Sequence, residues 1–326
     1  MLRKEGTVPS IIPKLQALAR RLPPKHHRME DVKESLRRFQ TGLQGEQNLD
    51  YQLMTLPQKN YHILRNIRLI LHGKAFQIDF LILTRFFILI TEVKNRSGTI
   101  LIDEDGQFYQ IYNGKKKVME DALLQVQRQM NAMQRWLVEN KYINLRLDWR
   151  VVNSNPTTSV INKTPDHNIA ERIYNANQFP HHLQELYSSY ASQNQPILTE
   201  TEIQKLKKLI TTHNQPLEED VLKTFNLSKG DLLKGVLCPE CKKCMMRWKA
   251  GYWHCEACRS RSKDAHVQVI YDYFLLIKPS ITNSECCQLL NLESRFIAHN
   301  ILKSMKLVTR GTKRHRTYHP RKTSRK

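Results

Sequence analysis

No uninterrupted apolar run in this chain approaches the roughly 18–20 residues that a membrane helix needs, which leaves no candidate for a membrane-spanning helix. Met1-Leu2-Arg3-Lys4-Glu5 is not followed by the apolar segment of a signal peptide, so a cytoplasmic location is expected. Cysteine is missing from the first 237 residues, which excludes a disulfide framework there, and all seven cysteines lie beyond that point, as expected of reduced thiols in a metal site. From Lys303 to Lys326 there are ten Lys or Arg and no acid.

What is present fits those gaps. A length of 326 residues favours two or more domains, and a formal charge of +22 with a pI near 9.8 points to an acidic partner. Nucleic acid is the first such partner, an anionic membrane surface the second.

The chemistry is concentrated in two polar clusters, Gln77-Ile78-Asp79 and Thr91-Glu92-Val93-Lys94, set in otherwise apolar runs. Charged residues avoid a sheet core unless they are paired or bind metal. Lys74–Leu83 and Arg85–Val93 read as consecutive strands joined by a tight antiparallel turn. A turn centred near residues 85 and 86 places Asp79 opposite Glu92, and period-two alternation puts Glu92 and Lys94 on one face. Two carboxylates and an ammonium suit a hard cation such as Mg²⁺ or Mn²⁺. Lys94 then either orients and deprotonates a water or stabilises charge on a phosphate. The plainer alternative is a same-face ion pair at a strand end, with Asp79 capping a turn.

Around these strands stand Gly45-Glu46 in a helical stretch, Gln77-Ile78-Asp79-Phe80, Glu92-Val93-Lys94-Asn95 with Gly98 after it, the Asp105-Gly106-Gln107 turn, and Gln125 in a following helix. This set resembles the nuclease-related (NERD) domain of the PD-(D/E)xK nuclease superfamily, over roughly Thr41 to Val160. The resemblance implies a restriction-endonuclease-like α/β core, a mixed sheet flanked by helices. It further implies Glu46, Asp79 and Glu92 as metal-site carboxylates, Lys94 as catalytic lysine and Gln125 as an accessory residue. Two departures concern local geometry: Glu120-Asp121-Ala122 replaces the family's Asn-Pro pair, and Arg85-Phe86 replaces its turn glycine.

Along the chain, residues 1–40 are expected to form a basic helical extension and 41–187 the nuclease-like domain. Ile11–Leu22 and Met29–Phe39 have helical patterns, and a separate helix from Thr41 carries Glu46. Tyr61–Leu71, Thr99–Asp103, Gln107–Tyr112 and Asp148–Val152 read as strands, and Val118–Asn140 as one long helix, on which Gln125 points either to the carboxylates or to solvent. Pro165–Leu186 reads as helical and Ser188–Gln195 as linker, within a helical linker spanning 188–236.

Residues 237–264 have the spacing of a zinc ribbon. Cys238-Pro-Glu-Cys241 and Cys255-Glu-Ala-Cys258, with 13 residues between the pairs, predict a structural four-thiolate Zn²⁺ site, with Cys244 and His254 left as alternative donors. Trp248 and Trp253 are expected to pack. In 265–320, three helices and two short strands resemble a winged helix-turn-helix, with Glu293–Lys306 as recognition helix and Arg310–Arg316 as wing. Lys303, Lys306, Arg310, Lys313, Arg314 and Arg316 are the candidate phosphate contacts, and 321–326 is a basic tail. The expected function is metal-dependent hydrolysis of phosphodiesters in DNA; the alternative is a noncatalytic DNA-binding or regulatory protein on the same fold.

Overall fold

The structure is a computed structural model that describes residues 9–119, 121–165, 169, 171–193, 195–312 and 315–321. It divides into two compact units, one of residues 40–217 and one of the N-terminal residues through 39 together with 218 onwards. Helix α1 (Ile11–Arg21) opens the chain and α2 (Met29–Leu53) follows. The division falls within α2, which runs unbroken where two helices were expected.

The 40–217 unit is a mixed α/β layer structure. Strands β1 (His62–Leu71), β2 (Lys74–Leu83) and β3 (Ile88–Lys94) form an antiparallel meander. Strands β7 (Leu147–Asn153) and β9 (Ile173–Asn175) then add in parallel, giving the order β1-β2-β3-β7-β9. Helix α3 (Ala122–Glu139) covers one face, its Val126, Met133 and Trp136 packing with Ile88, Ile90 and Trp149. Helix α4 (Phe179–Gln193) joins the end of α2 on the other face, where Leu49, Phe179 and Leu183 pack with Phe80, Leu89 and Val152. Both faces of β3 are therefore buried, as its unbroken apolar run requires.

A second sheet, in the order β6-β5-β4-β8, is built from β4 (Thr99–Ile102), β5 (Phe108–Tyr112), β6 (Lys115–Val118) and β8 (Ser159–Asn162). Its β4–β5 and β5–β6 pairings are antiparallel, and its β4–β8 pairing is parallel. Strand β6 also shortens the expected Val118–Asn140 helix, which starts only after Asp121 accepts the amides of Leu123 and Leu124 as its N-cap.

Two further expectations give way to packing. Ser188–Gln195 is helical as far as Gln193 instead of linker, and α5 (Glu200–His213), placed within a linker, buries Ile203, Leu206 and Ile210 in the α3-side core. Its Thr199–Glu202 capping box fixes where it starts.

In the other unit the N-terminal segment is core, not extension: Leu15, Ala17 and Leu18 are fully buried. Arg20 pairs with the buried Asp272 at 2.6 Å, and Arg21 donates to the Leu233 and Gly235 carbonyls. After the short α6 (Val221–Thr224), strands β10 (Val236–Leu237), β11 (Met245–Lys249), β12 (Tyr252–His254) and β13 (Arg261–Ser262) form a small sheet. Helices α7 (His266–Leu276), α8 (Asn283–Leu290) and α9 (Arg295–Ser304) and the hairpin β14 (Val308–Arg310) with β15 (Thr317–His319) complete it. Residues 237–264 and 265–320, expected as separate modules, share one core in which Trp253, Cys255, Ile270 and Ile301 all take part.

Candidate functional site

The β2–β3 ladder carries the expected register as far as Phe80↔Thr91 and then stops. One step further, Asp79 Oδ2 accepts the Val93 amide at 3.0 Å, so a side chain takes over where backbone pairing ends. The neighbouring ladder is irregular at the same level. Arg65↔Phe80 and Ile67↔Ile78 flank Asn66, which has φ +51°. Leu64 and Ile67, and likewise Leu81 and Ile78, are three apart yet lie in one core, so the period-two alternation slips at Asn66 and Asp79.

Glu92 is 3 % exposed, and a charged group at that depth needs partners. Lys94 Nζ donates to Glu92 Oε1 at 2.8 Å and to Gln125 Oε1 at 2.8 Å. Gln125 Nε2 donates to Glu92 Oε1 at 2.7 Å, and Gln129 Nε2 to Glu92 Oε2 at 2.8 Å. Gln125 therefore points to the carboxylates instead of solvent. The far end of β3 is fixed to β7: Ser154 donates its amide to the Lys94 carbonyl at 2.8 Å, and Arg96 donates its amide to Asn153 Oδ1 at 3.2 Å.

Glu46 reaches the same region from α2. A Cβ at Gly45 would lie 2.6 Å from Ser154 Oγ and 2.8 Å from Asn95 Cβ, so only glycine lets the helix approach the ends of β3 and β7 this closely. Asn95 Nδ2 donates to the Thr41 carbonyl at 2.8 Å, and Asn66 Nδ2 to Glu46 Oε2 at 2.7 Å.

The electrostatics record the crowding. Burial, then the charges of Glu92 and Glu46, push the Asp79 carboxyl well above the usual carboxylate range, against the Val93 hydrogen bond and the Lys94 charge. Burial also raises Glu46; the Asn66 hydrogen bond opposes this and the Glu92 charge adds to it. Beside the network a pocket of about 320 Å³ is lined by Gln77, Gln125, Arg128 and Gln129.

The five residues singled out in sequence thus converge at the middle of β2, the end of β3 and the facing sides of α2 and α3. Asn66 and Gln129 were missed. Gln129 had a signal, four residues from Gln125 on the same helix; for Asn66 the signal was a break in alternation between Leu64 and Ile67.

The cysteines form the second site. Among the described residues, one group of three or more Cys, His, Asp or Glu has all its ligand atoms within 4.8 Å of one another: Cys238, Cys241, Cys255 and Cys258. Two matching turns build it: Lys242 donates its amide to the Cys238 carbonyl and Arg259 to that of Cys255, with Lys242 at φ +54° and Arg259 at φ +61°. Cys244 Sγ stands 3.2 Å from Cys255 Sγ but outside that group, and a ring nitrogen of His254 lies 3.1 Å from the Lys249 carbonyl. Trp253 is 1 % exposed and Trp248 packs against it at 5.2 Å between ring centroids, as packing residues do.

Of the candidate phosphate contacts, Lys303, Lys306 and Arg310 are exposed and Arg316 half-buried, whereas Lys313 and Arg314 lie outside the described residues. No helix among the described residues is long and apolar enough to cross a membrane.

Residues 41–156 match the family described as the nuclease-related domain, NERD, and that part of the chain is a nuclease-related domain. Against curated proteins and against solved structures the chain gives no match.

Proposed function

Taking residues 41–156 as a nuclease-related domain, we propose that the protein is a divalent-metal-dependent nuclease of restriction-endonuclease-like fold that hydrolyses phosphodiester bonds in DNA. The observation that carries this reading is the Lys94–Glu92–Gln125 network on β3 and α3, where the Glu92 charge adds to burial in raising both Asp79 and Glu46, and Glu46 adds further to Asp79. The donor set fits the metal: three carboxylates offer the oxygen ligands that Mg²⁺ or Mn²⁺ takes, and a dication offsets the burial and the repulsion that raise Asp79 and Glu46. Held by Asp79, Glu92 and Glu46, the ion would supply Lewis-acid polarisation of a phosphoryl oxygen.

The chain's own groups do the positioning. Lys94 spends two of its three N–H donors on Glu92 and Gln125, which fixes Nζ at the strand end and leaves one donor for a phosphate oxygen or a water. Gln129 and Gln125 hold Glu92 in one rotamer, and Asn66 does the same for Glu46. The pocket beside them gives the site an approach from solvent, with Arg128 as its cation.

The other unit supplies retention. Two of the cysteine pairs have sulfur separations of 3.7 and 3.6 Å, close to the ~3.8 Å edge of a tetrahedron with 2.3 Å zinc–sulfur bonds, so the four thiols suit a closed structural Zn²⁺ site. Helices α7, α8 and α9 are followed by a two-stranded hairpin, and Ile281 bridges to Tyr318, an element order that supports the winged-helix reading. Helix α9 exposes Arg295, Asn300 and Lys303, the face that would enter a groove of DNA.

A second reading, a noncatalytic DNA-binding protein, is favoured by one observation: both oxygens of Glu92 are already engaged by Lys94, Gln125 and Gln129. Incubating labelled single- and double-stranded DNA with the protein and Mg²⁺ or Mn²⁺, against an EDTA control, separates the two. Metal-dependent cutting supports the nuclease; binding without cutting supports the second reading.

A further inference from the structure

The second sheet carries its charges at opposite ends. Strand β4 leaves the end of β3 through residues 95–98 and runs to Asp103, Glu104 and Asp105; β5 returns, and the β5–β6 turn at Asn113 and Gly114 lies level with Thr99. Thr99 pairs with Ile111, and Ile111 with Lys116, so the basic edge comes back to the end from which β4 started. Gln110 Nε2 closes that end by donating to the Ser97 carbonyl at 2.8 Å, and Gly98, at φ +83°, lies against the Ile111 carbonyl where a Cβ would collide. The three acids are at the far end.

Strand β6 is Lys115-Lys116-Lys117-Val118, exposed at every position. Among the described residues no salt bridge engages its lysines; Lys116 Nζ instead stands 3.7 Å from the centre of the Tyr109 ring, which pre-orders it on the outer face. Lys115 and Lys117 project to the opposite face of the same edge by period-two alternation. Five residues of chain and two strand spacings separate Lys94 from Lys116, a path of roughly 30 Å at most. One turn of duplex is about 34 Å, so the edge lies no farther from Lys94 than one turn of duplex is long.

We propose that the β5–β6 hairpin, through Lys115, Lys116 and Lys117, is an arm of the nuclease-related domain that grips the phosphate backbone of duplex DNA within one turn of the reacting phosphate. It rests on the nuclease reading for what the grip serves, but not for the grip itself.

The test uses the full chain in EDTA, where no cleavage is needed. Labelled duplex DNA is titrated by fluorescence anisotropy between 50 and 200 mM salt with wild type and with Lys115→Gln/Lys116→Gln/Lys117→Gln, which keeps the sheet edge polar. Each lost phosphate contact lowers the log–log salt slope by about 0.9, so the variant is expected to show a slope shallower by about 2 to 3 and at least a ~10-fold weaker affinity at low salt. A Lys→Arg triple variant is expected to bind like wild type, which separates loss of charge from loss of fold. An unchanged slope in the glutamine variant overturns the proposal. So does unchanged DNA binding with weakened binding to phosphatidylserine vesicles, which would assign the edge to a lipid surface. If wild type fails to cut any DNA while the slope still falls, the nuclease reading is lost and the arm stands.

Discussion

Asn66 Nδ2 donates to Glu46 Oε2 at 2.7 Å, tying α2 to β1 across the sheet from Asp79. One asparagine does two things here. Its left-handed backbone, φ +51°, breaks the strand alternation, and its side chain holds a carboxylate toward two others. Asn66→Ala removes the hydrogen bond and keeps a Cβ in the left-handed region, with an expected loss of about 1–3 kcal/mol in urea unfolding. Asn66→Gly relieves the backbone and should recover part of that stability. Neither variant restrains Glu46, so both are expected to bind Mn²⁺ more weakly in calorimetry; wild-type affinity in both would remove Asn66 from the site.

The raised carboxyls of Asp79 and Glu46 make a signed prediction about pH. Folded, each holds its proton more tightly than it does unfolded. Their contribution to the metal-free protein is therefore fully present below the unfolded values near ~4, and is lost as pH rises through the folded values. Asp79→Asn keeps an acceptor for the Val93 amide and removes the charge. In EDTA it is expected to be more stable than wild type at pH 8 by on the order of 1 kcal/mol, with the difference vanishing near pH ~4. Denaturant midpoints measured across that range check it, and a variant less stable than wild type at pH 8 contradicts it. Metal competes with the same protons, so Mn²⁺ affinity should fall as pH falls.

For the cysteines the expectation is one Zn²⁺ per chain. Cys238→Ser should lose the metal and, because Cys238 and Cys255 lie in the same core as Trp253 and Ile270, lower the thermal midpoint of that whole unit. Cys244→Ser should retain full zinc stoichiometry by atomic absorption. The reverse pattern, zinc kept by Cys238→Ser and lost by Cys244→Ser, would move the site to the register containing Cys244.

Much of this site could be read from residue order. The β2–β3 register follows from a tight turn between two apolar runs, which is why Asp79 and Glu92 were expected at one level. Glu46 was different: only the Gly-Glu resemblance marked it, and the physical reason, the clearance at Gly45, needs the neighbouring strand ends. Asn66 was missed because the slip it makes between Leu64 and Ile67 marks a break in the strand but not the carboxylate that its side chain meets. Strand β6 was missed because three lysines in a row carry no alternation. Segments taken for extension or linker, around Leu15 and Leu206, turned out to be core, since an amphipathic helix does not announce which surface will cover it.

Catalysis in the proposed nuclease turns on Lys94, whose Nζ joins Glu92 to Gln125. The measurement is the cleavage rate of labelled duplex DNA at low salt with Mg²⁺ or Mn²⁺, wild type against Lys94→Ala, with DNA affinity in EDTA recorded for both. Wild type is expected to cut only with metal, and Lys94→Ala to cut at least ~100-fold more slowly while binding DNA within about twofold of wild type. Equal cleavage by the two proteins would take Lys94 out of the reaction.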